Sequence, residues 1–269
     1  MNEVSTIRPP TEKMLARIDG PIGWITFNNP SRRNAVSLEM WEALPTILDG
    51  FEADPQVRVV VLHGAGEAAF VAGADISQFE QTRSSADGNA HYEAITDLAS
   101  RRLSECSKPT IAMIHGWCIG GGVGIAVCCD LRLAADNAKF GIPAVRLGVG
   151  YGHKGVRKLM DLVGPSFTKE IFLTARHFSA VEAKEMGLVN RVLPAAELET
   201  YVRGYCETIA DNAPMTIDAL KRTVGELLKG PEGDLALSDR LVRACFESQD
   251  YIEGRRAFME KRRPVFRGM

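Results

Sequence analysis

The sequence predicts an α/β fold: a core of alternating strands and helices, then a helical C-terminal region. Two patterns carry this expectation. Through the first half, short apolar runs rich in β-branched residues alternate with stretches of helical periodicity, in units of roughly 40–50 residues. From about residue 155 onward, helical patterns dominate. The 269 residues, 45% of them hydrophobic and 25% charged, can bury such a core without covalent staples.

Residues 13–18 and 22–27 read as two strands, with Asp19-Gly20 as the hairpin signal between them. Residues 34–51 read as a helix, because Met40, Leu44, Ile47, Leu48 and Phe51 recur at helical spacing. Ser37 stands where an N-cap belongs. The run VRVVVL at 57–62 is continuously apolar, as in a strand covered on both faces. A turn at 63–66 and a short extended piece at 70–74 follow. Residues 90–106 are helical and 109–114 form another buried strand. A glycine run leads into an apolar helix at 123–129 and a strand at 131–134. Beyond these, helices are expected at 156–162, 165–173, 180–185, 196–212, 214–228, 235–248 and 251–261, with one strand at 189–192. The expected organisation is a core over 1–195 and a helical region over 196–269.

The formal net charge of -2 gives no basic excess, which argues against a nucleic acid or an anionic membrane surface as partner. Six cysteines without a C-x-x-C pair, three of them in apolar stretches, read as packed thiols of a reducing cytoplasmic compartment. Neither they nor the five histidines show metal-ligand spacing, so no metal is expected. Residues 1–14 are polar and lack the apolar centre of a signal peptide. Residues 111–129 carry no Asp, Glu, Lys or Arg and nearly reach bilayer length. Five glycines inside that stretch, with Asp130 and Arg132 behind it, read instead as buried strand, glycine turn and buried helix.

Two features could carry chemistry. Gly120-Gly121-Gly122 separates an apolar strand from an apolar helix. Glycines there let backbone approach a ligand, and the free N–H groups of a helix start attract negative charge. By themselves, three glycines are more simply read as a tight turn with close helix packing. The run matches neither a phosphate loop nor the full dinucleotide fingerprint. The second feature is Phe70-Val71-Ala72-Gly73-Ala74-Asp75-Ile76. It crowds small residues at a strand end, a common ligand position in α/β proteins. A loop kept small for packing reads the same way.

Taken together with other segments, the two features resemble the crotonase family (enoyl-CoA hydratase/isomerase). Asn29-Pro30 with Asn34-Ala35, Phe70 to Ile76, and Lys108-Pro109 leading to His115-Gly116 and the glycine run match in order. So do Cys129-Asp130-Leu131, Phe140-Gly141-Ile142-Pro143, Leu173-Thr174, Ala183 with Gly187-Leu188-Val189-Asn190, and the tail from Glu253-Gly254 to Arg262. The resemblance implies a spiral of ββα units whose C-terminal helices pack subunits into a homotrimer or a dimer of trimers. It also implies an acyl-CoA thioester substrate, and no cofactor beyond the coenzyme A of that substrate. By position, the backbone N–H groups of Ala74 and Gly121 would hold the thioester oxygen as an enolate forms. Ala72, Gly73, Asp75, Ile76 and Gly120 would surround it. Arg32, Arg33 and the Ala72 backbone would lie near the nucleotide end of coenzyme A, where basic side chains suit phosphates. Exposed arginines without a role fit the same positions.

The sequence departs from the hydratases of that family at two positions. Their two glutamates, which share the reacting water as base and acid, correspond here to Gly124 and Ala144. Neither residue can transfer a proton. The resemblance therefore implies a hydratase-like enzyme poor at the usual two-glutamate hydration. Residues 147–151 (LGVGY) are similar to methylmalonyl-CoA decarboxylases, which carry a tyrosine at the Tyr151 place. Those enzymes keep a glutamate after their glycines and a histidine at the Ala74 position, so that match is partial. Tyr151 is a candidate to orient a leaving carboxylate, or else a loop tyrosine packed on the acyl pocket. His153 is a second candidate, or a surface histidine. A decarboxylase, another acyl-CoA lyase or hydrolase, and a non-catalytic acyl-CoA binder all remain open. Asp75 and Asp130 are expected to brace backbone rather than react, and Trp117 and Cys118 to support the pocket.

Overall fold

The computed structural model describes residues 5–7, 9–75, 77 and 85–269. Among the described residues, eleven strands form two sheets. The larger runs in the order β1 (Ser5–Ile7), β2 (Met14–Asp19), β3 (Ile22–Phe27), β4 (Val59–Gly64), β6 (Thr110–Ile114), β8 (Leu131–Ala135), β11 (Arg191–Leu193). Its first three strands are antiparallel and the rest parallel. The smaller sheet orders β10 (Phe178–Ser179), β9 (Lys139–Gly141), β7 (Trp117–Ile119) and β5 (Ala69–Val71).

Strands β3, β4, β6 and β8 of the large sheet are buried on both faces, which explains their largely apolar runs. Ile25, Phe27, Val60 and Leu62 face α1 (Leu38–Ala53), meeting Met40, Leu44, Ile47, Leu48 and Phe51. Ile22, Trp24, Val59, Val61, Ile111 and Leu133 face the other way, onto Leu198, Val202 and Cys206 of a later helix. The alternation follows the two-residue period of a strand. Further helices are α2 (Ala86–Ser104), α3 (Gly121–Ala126), α4 (His153–Thr174), α5 (Ala180–Glu185), α6 (Leu198–Ala210), α7 (Pro214–Leu228), α8 (Leu235–Glu247) and α9 (Gln249–Glu260). It is α6 that covers the second face of the sheet. The helical segment α4 breaks at Gly164 (φ 73°), so the two helices expected around that glycine are both present. Residues 111–129 fold as β6, β7 and α3. Among the described residues, no helix is long and apolar enough to cross a membrane.

Three local readings change. The helix expected from residue 34 starts at Leu38, because Arg33 and Asn34 have left-handed backbones (φ 52° and 57°). Ser37 is its N-cap by position, but the hydroxyl lies 3.4 Å from Glu39 Oε1 and caps no amide. The β2–β3 hairpin turns on Gly20-Pro21, with Asp19 still paired to Ile22.

Candidate active site

The bend after β5 is tied to the loop before α1. Ala72 N donates to Arg33 O at 3.1 Å, Val36 N to Gly73 O at 2.9 Å, and Asp75 N to Val36 O at 2.9 Å. Asn34, allowed in a left-handed turn by its short polar side chain, braces this loop from inside. Its Nδ2 donates to Ala69 O at 2.8 Å and to Ala65 O at 3.1 Å, while its Oδ1 accepts from Asn29 N. Asn29 Nδ2 in turn donates to Ala35 O at 3.0 Å. Both asparagines are buried. Because Gly73 O and Asp75 N face Val36, the intervening Ala74 N–H points away from it.

The second bend leaves β7 through Gly120, whose backbone (φ 53°, ψ -111°) suits only glycine. Gly120 N donates to Gly141 O at 2.8 Å, and α3 starts at the next residue. A Cβ on Gly121 would stand 3.8 Å from Ala74 N, so the two bends adjoin. Gly121 N belongs to the first helical turn and has no intrahelical acceptor. Among the described residues, no acceptor is paired with Ala74 N or Gly121 N. Trp41 of α1 seals this place from behind, its ring also 3.8 Å from the Gly121 Cβ position.

Around the bends, Asp75 is buried and its Oδ1 accepts from Ser77 N at 3.2 Å and Ser77 Oγ at 2.6 Å, a bracing role as expected. Arg32 approaches the same oxygen at 3.7 Å with its side chain 55% exposed. Arg33 lies over Trp117, 5.8 Å from the ring centroid. Cys118 and Cys129 are fully buried, and burial pushes both thiols well up, so neither is a nucleophile at neutral pH. Ile76 lies outside the described residues. Asp130 Oδ2 holds Thr110 N at 2.7 Å and Lys221 Nζ at 2.6 Å, a structural pairing as expected.

Gly124 sits one turn into α3, where a Cβ would meet no atom within 4 Å. Ala144 is buried at the start of a short 3-10 turn, and its carbonyl accepts from Val149 N at 3.1 Å. Tyr151 lies with Gly148, Val149, Gly150 and Gly152 along an open groove of about 550 Å³, faced by Asn89 and Glu93 of α2. The Tyr151 ring meets Phe172 edge-on at 5.0 Å. His153 opens α4, exposed and outside the residues lining that groove. The sequence reading did not single out Asn89 and Glu93. Their i, i+4 spacing placed them on one helix face, but nothing local said what that face meets. Among the described residues, no group of three or more His, Cys, Asp or Glu could hold a metal ion.

Two sheets with adjoining small-residue bends at the ends of β5 and β7 define the class of α/β protein to which the chain is compared. A family model described as enoyl-CoA hydratase/isomerase matches residues 17–269. The chain belongs to the enoyl-CoA hydratase/isomerase family. It is 34% identical over 249 residues to the short-chain-enoyl-CoA hydratase of Clostridium acetobutylicum, covering 91% of this chain and 94% of that one. It is 33% identical over 265 residues to the carnitinyl-CoA dehydratase of Salmonella enteritidis, covering 96% and 99%. A crystal structure of an enoyl-CoA hydratase/carnitine racemase from Magnetospirillum magneticum superimposes with a TM-score of 0.93 at 34% identity, covering 97% of each chain.

Proposed function

We propose that this protein acts on an acyl-CoA thioester and stabilises its enolate between the N–H groups of Ala74 and Gly121. The observation that carries the reading is the meeting of two bends whose amides have no described acceptor, with Ala74 N 3.8 Å from the Gly121 Cβ position. Fixed donors in a site shielded from water stabilise an oxyanion that forms there, and losing one costs roughly 10²–10³ in rate. Arg32, half-exposed beside Asp75, is set to meet the nucleotide phosphates of coenzyme A. The names of the similar Clostridium and Salmonella proteins support a coenzyme A thioester as substrate class.

Within that reading, the usual hydration through two glutamates is weak. Gly124 offers only open space and Ala144 only a methyl group where those carboxylates belong. A second reading, decarboxylation by a lyase, is favoured by the same absence together with Tyr151 on the groove. Loss of carbon dioxide leaves its electron pair on the thioester enolate and needs no base to start. Copies associate through α7 to α9, where Leu220, Phe258 and Met259 are 64%, 83% and 80% exposed.

The test is turnover of crotonyl-CoA and of methylmalonyl-CoA by the intact protein and by Gly121→Pro. Proline fits the first helical position and removes the N–H. The expected result is turnover of one thioester by the intact protein and a loss of at least about 100-fold in the variant. Equal rates in the two proteins would sink the assignment. Tight binding without turnover of either would leave an acyl-CoA binder.

A further inference from the structure

An enolate chemistry needs a group that carries a proton to or from the acyl chain, and neither Gly124 nor Ala144 can do so. The open groove lined by residues 148–152, Asn89 and Glu93 contains one carboxylate among its lining residues. It belongs to Glu93, on α2, facing Tyr151 and the glycine-rich stretch 148–152. Val149, in the same lining, donates its N–H to Ala144 O, so the groove reaches the neighbourhood where a carboxylate is missing. The helices around it are fixed relative to one another. Lys158 of α4 reaches Ser100 O of α2 at 3.4 Å and Cys128 Sγ, beyond the end of α3, at 3.4 Å. One turn back, Lys154 meets Asp97 at 2.5 Å. One further turn back on α2 is Glu93. One turn back from Cys128 is Gly124, with open space where its side chain would be.

We propose that Glu93 is the acid–base residue of this site, exchanging a proton with the substrate carbon next to the thioester. The proposal rests on the acyl-CoA reading above. The Glu93 carboxylate takes the proton from that carbon. The C–H bonding pair becomes the carbon–carbon double bond of the enolate, and the carbonyl π pair moves to the oxygen held by Ala74 and Gly121. The reverse step returns the proton and restores the thioester. After decarboxylation, Glu93 protonated by solvent water would pass that proton to the enolate carbon and return to the carboxylate. The missing carboxylates of α3 and of the turn at Ala144 are thus replaced from a third element, across the groove.

Butyryl-CoA tests this without a knowledge of the natural substrate. The full chain is incubated with it in D2O, deuterium at the carbon next to the thioester is read by mass spectrometry, and affinity is read by calorimetry. The expected result is exchange by the intact protein, slowed about 100-fold or more in Glu93→Gln with affinity unchanged. Exchange at the intact rate in Glu93→Gln, but lost in Gly121→Pro, would overturn the role of Glu93 and keep the oxyanion reading. Binding without exchange by the intact protein would also overturn it. A fall in affinity that accounts for the slowed exchange would make Glu93 a structural residue. Failure of the intact protein to bind butyryl-CoA would overturn the acyl-CoA reading, and this proposal with it.

Discussion

Gly122 packs so closely on Val71 that a Cβ in its place would lie 2.2 Å from the Val71 carbonyl oxygen. The two residues belong to the two bends, so this approach sets how far apart Ala74 and Gly121 stand. Gly122→Ala must push α3 away from β5. The expected outcome is a loss of stability of about 1–3 kcal/mol, read from urea unfolding, with acyl-CoA turnover lost at concentrations where the variant remains folded.

Gly124, two residues on, is the opposite case, since a side chain there meets nothing within 4 Å. Gly124→Glu should fold normally. Combined with Ala144→Glu it should raise hydration of crotonyl-CoA above that of the intact protein, followed by loss of enoyl absorbance. A folded double variant with no gain would show that more than two carboxylates separates this site from a hydratase.

Lys221 of α7 donates to Asp130 Oδ2 at 2.6 Å and to Lys108 O at 2.8 Å, with its side chain only 13% exposed. The contact ties α7 to the start of β6 and of β8. Lys221→Met should cost about 1–3 kcal/mol, because it leaves partly buried acceptors unmet. A double-mutant cycle with Asp130→Asn should give a coupling energy above about 0.5 kcal/mol. Strict additivity would show that the two side chains act independently.

His63 lies between Thr26 Oγ1 at 2.9 Å and Gly64 O at 3.1 Å, and burial brings its pKa down to about 4. The folded protein therefore resists protonation there, while the unfolded chain accepts it near pH 6.5. Stability from this histidine is complete above about pH 6.5 and declines as pH falls toward 4. The urea midpoint should drop between pH 7 and pH 5, and His63→Gln should flatten that drop. An unchanged slope in the variant would assign the acid sensitivity elsewhere.

The long elements were legible because their periodicity is local. The strand at 22–27, the helix at 180–185 and the helix at 214–228 match the observed β3, α5 and α7. The strands β7, β9 and β10 were not, since two or three residues carry no period and their pairing partners lie far away in sequence. Asn34 shows the same limit. Its neighbourhood reads as a helix start, but the buried carbonyls of Ala65 and Ala69 draw it into a left-handed turn.

By itself the sequence determined the family, the two small-residue bends and the lack of carboxylates at Gly124 and Ala144. Those are properties of residue type and order along the chain. Only the tertiary structure decided that the Ala74 and Gly121 amides adjoin, that Gly124 opens on empty space, and that Glu93 shares a groove with Tyr151. Each of these is a distance between elements, fixed by sheet pairing and helix packing across many residues. A residue's place in the chain says which way its side chain faces locally, and not what it meets there.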